Sequence, residues 1–459
     1  MKAQKLLPPA LLPLLLIASA ICLSATTYQW NNDATSSNWS TVTNWSPNGT
    51  PGEGDTISTP IKAGAALVNV DVSVHGMDIG SGWTLRGTGG TEKTLTIGEG
   101  GLIKSGSGTL LIRNDGSASS ITFNVITSSI TVSDGSLSFG SGTNPLSSLN
   151  VSGTTTVGAS GTLPLYVLDA NLAGGLENDG VVGLNAGPDA STTVLTVGGI
   201  TGSGEIRVGS AASTRKSTLI VSLAAGEKTF AGKIINGGTG TTLTLEKNGA
   251  GTQILSGNTN TYSGGTTIDK GSLLVANTSG SGVGTGAVAV KNDATFGGTG
   301  IVALAAGNAI TVESGGTLLG GDGASLTGVL TIANDVTLQT GSTIRLTFGA
   351  GGTHSSIART GGTWNFANDQ SIFFDNINDG AQTGVVYTGI ITGLAADPGV
   401  SGWTIANAGW TGIFSYANGS VSVVLSTAIP EPASIATLLA AAAVLATCCI
   451  CRRRRHSIR

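Results

Sequence analysis

Leu243-Thr-Leu-Glu-Lys247-Asn-Gly-Ala-Gly251-Thr-Gln-Ile-Leu255-Ser-Gly-Asn-Thr-Asn260-Thr-Tyr-Ser-Gly-Gly265-Thr-Thr-Ile-Asp-Lys270-Gly-Ser-Leu-Leu-Val275 holds three short apolar runs, each closed off by glycine or Asn. Side chains in a strand point alternately to opposite faces, so Thr242 to Leu245 and Ser272 to Val275 read as half-buried strands. None is long enough to bury its face alone. Such units become stable only by stacking on neighbours, which is the behaviour of a solenoid.

A second copy of the opening phrase supports that reading. Lys104-Ser-Gly106-Ser-Gly108-Thr109, leading into Leu110 to Ile112, matches Lys247-Asn-Gly249-Ala-Gly251-Thr252, leading into Ile254 and Leu255. Further short strands are expected at 94–97, 121–125, 130–132, 193–197, 217–221, 310–312, 329–332 and 343–348. Val68 to His75 alternates strictly, placing four valines on one side and Asn69, Asp71, Ser73 and His75 on the other. The 459 residues include 72 glycines and only 10 % charged side chains, where about 25 % is usual. With 40 % hydrophobic residues and few prolines the chain is not of disordered composition. A thin interior that takes small and β-branched side chains, with glycine at the corners, fits these proportions.

The stretch 243–275 resembles the autotransporter-associated β-strand repeat, with looser echoes from about residue 92 to 345. The resemblance implies a right-handed parallel β-helix, and at roughly 20–25 residues per coil about 300 residues would make on the order of 12–15 coils, a rod about 60–70 Å long. The expected fold class is therefore all-β, a parallel β-helix over 61–361. It is preceded by an aromatic cap at 26–60 that carries Tyr28, Trp30, Trp39 and Trp45. After it, residues 362–428 form a small antiparallel β cap and linker, in which Asn418-Gly419 marks a tight hairpin between Ile413 to Tyr416 and Val421 to Leu425.

The two ends carry addresses. Lys2 and Lys5 precede an apolar stretch from Leu6 to Leu23 and small residues at Ser24-Ala25, the pattern of a signal peptide (1–25) cut after Ala25. At the other end stand Pro430-Glu431-Pro432, a charge-free run at 434–451 and Arg452, Arg453, Arg454 and Arg455. Eighteen residues as a helix span roughly 27 Å, close to the hydrocarbon thickness of a bilayer, so one transmembrane helix with a cytoplasmic arginine cluster is expected. In order and composition, residues 429–459 resemble the PEP-CTERM sorting signal of Gram-negative bacteria. That resemblance implies recognition by exosortase, cleavage near the triplet and delivery to the surface or an exopolysaccharide matrix. Export itself would use the Sec translocon and signal peptidase. The membrane is then met through the C-terminal helix before cleavage.

Removing both ends takes away seven basic residues and one acidic residue, leaving 15 against 25, so the body is acidic at −10. Nucleic-acid binding, which needs a basic patch, is excluded. Cys22, Cys448, Cys449 and Cys451 all lie in the end segments, so the body has no disulfide, thiol nucleophile or thiolate-held metal. His75 and His354 belong to no recognisable site, GxSxG and HExxH are absent, and Glu92 stands where a phosphate loop needs glycine before Lys93. Asp71 and His75 would be about 13 Å apart along a strand, too far for a glycosidase pair. Asp369, Asp375 and Asp379, and Gly320 to Ser325, have oxygen ligands without the spacing of a calcium loop. No catalytic residue, metal or cofactor is assigned. Trp30, Trp39 and Trp45 are candidate sugar-stacking residues against the simpler reading as cap. The expected function is an exported, non-enzymatic structural or adhesive protein associated with exopolysaccharide. The alternative is a polysaccharide lyase or glycoside hydrolase on the same scaffold.

Overall fold

Each short run pairs in parallel with the run one turn further along the chain, and the pairings sort into three faces. The computed structural model describes residues 25–62, 64–88, 91–116, 123–185, 192–209, 214–378 and 380–427. They form an all-β solenoid of the right-handed type with about 13 turns, about 60 Å of stacked strands at roughly 4.8 Å per turn. The step between turns varies from 19 residues, Leu163 to Val182, to 34, Ile357 to Ile391.

The first face begins at Val72–Ile79 and Lys93–Lys104 and continues through Phe123–Thr127, Leu146–Val151 and Thr242–Asn248 to Trp364–Asn365. Aligned register puts like on like. Val151, Leu172, Val197, Val221, Lys247 and Ile268 follow one another down a single interior column. On the third face Leu110, Leu137, Leu163, Val182, Ile206 and Ile234 do the same. All of these but lysine are fully buried aliphatics, each contributing about 1.5–3 kcal/mol in transfer free energy.

In the early turns one strand serves two faces by bending at glycine. Val72–Ile79 breaks register between Val74 and Gly76, and Ile130–Phe139 between Val132 and Asp134. The valine run at 68–75 is not one strand, contrary to the alternation: Ala65–Val68 ends on the third face, Val72 starts the first, and Val70 at the corner is 38 % exposed. A corner can keep a period of two in sequence while turning the chain.

The repeated Lys-x-Gly-x-Gly-Thr phrase is a corner device. Lys247 sits in the interior, and its ammonium donates to the carbonyls of Asn248 and Gly249, both at 2.8 Å, and of Lys270 at 3.2 Å. Lys104 donates likewise to Gly106 and, at 3.5 Å, to Ser107. One turn later a glycine covers the loop: a Cβ on Gly271 would lie 2.4 Å from the Gly249 oxygen and 2.6 Å from that of Gly251. Gly135 stands over Gly106 and Gly108 in the same way, at 2.6 Å from each oxygen. Both covering glycines have φ of 68°, which L side chains avoid. The first copy joins the second face to the third and the other copy joins the first to the second.

Both ends of the stack are closed. At the N-terminal end Thr27–Trp30 pairs antiparallel with Trp45–Ser46 and parallel with Thr56–Ser58. Trp30, Trp39 and Trp45 pack edge to face there, with centroids 5.1 and 4.6 Å apart about Trp45. Buried Asn44 ties the covering loop, donating to the Ser36 and Asn38 carbonyls at 2.7 and 3.1 Å and accepting from the Ala34 amide at 3.0 Å. At the other end Trp410–Ala417 and Ser420–Thr427 form an antiparallel hairpin whose turn, Asn418 and Gly419, has φ of 49° and 77°, the left-handed pair that matches strand twist. Parallel pairing runs further than 361, through Trp364–Asn365 and Ser371–Asp375 to Thr404–Ile405.

Among the described residues no helix is long and apolar enough to cross a membrane. The expected helix at 434–451, the sorting motif Pro430, Glu431, Pro432 and Arg452 to Arg455, and signal residues 1–24 lie outside the described residues.

Candidate functional site

Two surfaces are built by register alone. The first is the outer column of the first face: Ser73, Thr96, Ile126, Asn150, Asn171, Thr196 and Ile220 in successive turns, then Glu246, Thr267, Ala289, Thr311, Thr337 and Asn365. Apart from Ile126, Ile220 and Ala289, every rung carries a hydroxyl, amide or carboxylate, at a spacing of about 4.8 Å.

The second is a groove of about 400 Å³ on the third face. Its floor is the outward column Pro164, Gly183, Arg207, where Gly183 leaves a gap between two side chains. Adjacent turns are about 4.8 Å apart, so proline and arginine stand about 9–10 Å from one another across it. Along the neighbouring corner Tyr166, Asn185 and Gly209 are successive, their amides donating to Phe139, Leu165 and Leu184. Arg215 completes the lining. Arg207 pairs with Glu205 at 3.1 Å, and Glu205 also holds Lys233 at 2.7 Å.

The residues singled out in the sequence fall elsewhere. Trp30, Trp39 and Trp45 are 0, 1 and 0 % exposed, so no ring face is open for a sugar and their work is packing the cap. The indole of Trp45 donates to the Trp39 carbonyl at 2.9 Å. Ala25 is an exposed residue at the start of the described chain. Asp71 accepts the Thr94 amide at 2.9 Å and so ties one turn to the next, while His75, four residues on, is exposed. The ring of His354 lies between the carbonyls of Ser355 and Thr388, at 2.8 and 3.0 Å. Asp375 is engaged by Arg345 through three contacts of 2.8–3.0 Å, Asp369 is exposed, and Asp379 lies outside the described residues. Asp322 forms a local turn with the amides of Ala324 and Ser325; partial burial opposes its ionisation, yet these hydrogen bonds hold the carboxyl below its ordinary range.

Neither surface was visible in the sequence as a motif. Pro164, Gly183 and Arg207 are 19 and 24 residues apart, and only the register aligns them. The usable signal was the glycine at 183, between two valines and a leucine, in a strand whose other outward position carries a side chain.

Stacked faces with glycine corners define a parallel β-solenoid repeat protein. Within it, residues 245–275 match the family model described as the passenger-associated-transport-repeat. No curated protein matches the chain. The matched stretch covers the Lys247 corner, the phrase around Asn260 and Tyr262, and the covering Gly271. Asn260 accepts the Ile234 amide at 2.9 Å and donates to the Gly282 carbonyl at 2.7 Å, joining the turn before to the turn after. Tyr262 is wholly buried, with its hydroxyl 2.7 Å from that of Thr266 and burial pushing its ionisation up to about 12. Repeat and fold together fit an exported, passenger-like protein of adhesive or structural type.

Proposed function

We propose that the protein is a non-enzymatic rod of the cell surface or extracellular matrix, sorted by its C-terminal signal, cleaved near Pro430 to Pro432 by an exosortase, and held among exopolysaccharide chains. The observation that carries the reading is the polar ladder of the first face. Evenly spaced hydroxyls and amides on a stiff support each make a weak contact with a saccharide, and many weak contacts on one rod add by multivalency. The groove supports binding over turnover. Its lining among the described residues includes Arg207 and Arg215 and no carboxylate, whereas glycoside cleavage in most families needs two carboxyl groups flanking the bond.

The test is made on producing cells. Mass spectrometry of the surface or matrix form should find a C-terminus near Pro430 to Pro432, dependent on the exosortase, and enzymatic removal of the exopolysaccharide should release the protein. An intact arginine tail on the surface form would refute the processing, and retention after complete removal of the polysaccharide would refute the partner.

A further inference from the structure

We infer that the third-face groove is a binding subsite for an acidic saccharide, one uronic acid unit of a polysaccharide chain. This deepens the surface reading above and rests on it for the setting in which the ligand is met. The first argument is hydrogen-bonding capacity left unused. Asn185 is 6 % exposed, faces the groove, and among the described residues its side-chain amide has no hydrogen-bond partner. Solvent reaches the amide through the groove, so water serves it in the free protein, and a ligand that displaces this water can take over its donor group and its acceptor. Room for it is built in. A Cβ on Gly209 would lie 1.5 Å from the Asn185 Oδ1, so only glycine at 209 lets the amide occupy this position.

The second argument is charge. The body of the protein is acidic, yet two guanidiniums meet here. Glu205 is shared between Arg207 and Lys233, so it neutralises only part of that charge, and Arg215 has no ion pair among the described residues. A planar guanidinium matches a carboxylate with two parallel hydrogen bonds. The third argument is shape. Pro164 and Tyr166 offer apolar surface on one side of the gap at Gly183, suited to the C–H face of a sugar ring, while the Asn185 amide offers one donor group and one acceptor to ring hydroxyls. An aromatic and proline wall, an amide at the corner and cations opposite are the complement of a ring bearing hydroxyls and one carboxylate.

The experiment uses the mature chain and calorimetric titration with galacturonate and glucuronate oligosaccharides, their methyl-esterified neutral forms, and inorganic sulfate. Acidic oligosaccharides should bind, the esters at least tenfold more weakly, and added salt should weaken the acidic ones. Arg215→Gln and Asn185→Ala should each weaken binding about tenfold or more with the urea midpoint unchanged, whereas Ser415→Ala, exposed on the C-terminal hairpin, should not alter it. Equal binding of the esters, full competition by sulfate, or indifference to Arg215→Gln would overturn the inference. Binding of whole exopolysaccharide without binding of acidic oligosaccharides would remove the groove and keep the surface reading. Binding of the oligosaccharides by a protein that is not retained at the surface would do the reverse.

Discussion

Gln253 and Ile200, 53 residues apart, are bonded twice: the Ile200 amide donates to Gln253 Oε1 at 2.9 Å, and Gln253 Nε2 donates to the Ile200 carbonyl at 2.9 Å. The turn between them swings outward, with residues 224–229 exposed, and among the described residues the backbone pairing of the strand Glu227–Phe230 with the turn below is the isolated Gly202 to Phe230 bridge. A side-chain amide thus takes the place of a missing ladder rung. Asn334 does the same for Leu304, at 2.6 and 3.1 Å, and Asn407 for Phe374, at 2.8 and 2.9 Å.

Gln253→Leu is therefore expected to orphan both backbone groups of Ile200, costing about 1–3 kcal/mol for each group left unbonded in the interior. Hydrogen exchange at the Ile200 amide should quicken about tenfold or more while amides near Val312 stay protected, because each turn contacts only its neighbours. Unchanged protection at Ile200 would show that the rung carries no weight.

Lys247 gives a pH dependence. Burial pushes its ammonium from 10.5 down to about 8. Between those values the unfolded chain keeps a proton that the folded chain has released, so stability rises with pH through this window, and below about 8 the cost of burying the charge is fully present. The effect is on the order of 1–3 kcal/mol. Urea unfolding at pH 7, 9 and 10.5 should show the rise in the native chain and lose it in Lys247→Met, which in turn should be less stable at pH 7 because three carbonyls lose their donor.

Gly271 and Gly226 separate two costs that usually occur together. Both have positive φ, 68° and 73°, but a Cβ meets nothing within 4 Å at Gly226 and two carbonyl oxygens at Gly271. Gly226→Ala should cost about 1–2 kcal/mol from the left-handed backbone alone. Gly271→Ala should cost about 3 kcal/mol or more. Equal losses in denaturant titrations would mean that the close approach of the turns does not matter.

At the N-terminal end, Trp45→Ala should destabilise the cap by about 3–5 kcal/mol, since Trp45 is fully buried against Trp30 and Trp39. Opening the cap bares strand edges that can pair with another rod. Light scattering over a dilution series should show concentration-dependent association in the variant and none in the native chain.

The polar ladder predicts graded binding. Replacing Thr196, Thr267 and Thr311 by Ala, singly and then together, should leave stability within about 0.5 kcal/mol because these positions face outward. Retention on immobilised exopolysaccharide should fall stepwise with the number replaced. A single replacement that abolishes retention would point to one site and against the ladder.

How far the fold could be read depended on strand purity. Thr193–Val197 and Thr242–Asn248 alternate cleanly and stood out, as did Asn418-Gly419. The turns between 146 and 184 did not. Val167–Leu172 buries positions one, four and six because it is pulled around a corner, and Leu176–Asn178 is three residues long with a buried Asn whose amide donates to Glu205 at 3.1 Å. The groove lies over this stretch, so the weakest part of the periodic signal coincides with the part that carries the candidate site. Tryptophan content announced the cap at the N-terminus, but whether those rings faced in or out depended on Asn44 drawing the loop over them, a contact that no pattern encodes.

The lysine corner works equally well between two different pairs of faces, and it is complete within one turn and the glycine above it. Nothing in it depends on how many turns lie on either side. Whole turns can thus be duplicated or lost in a lineage without redesigning the joints, and what such events change is reach: the distance over which one molecule can extend its surfaces.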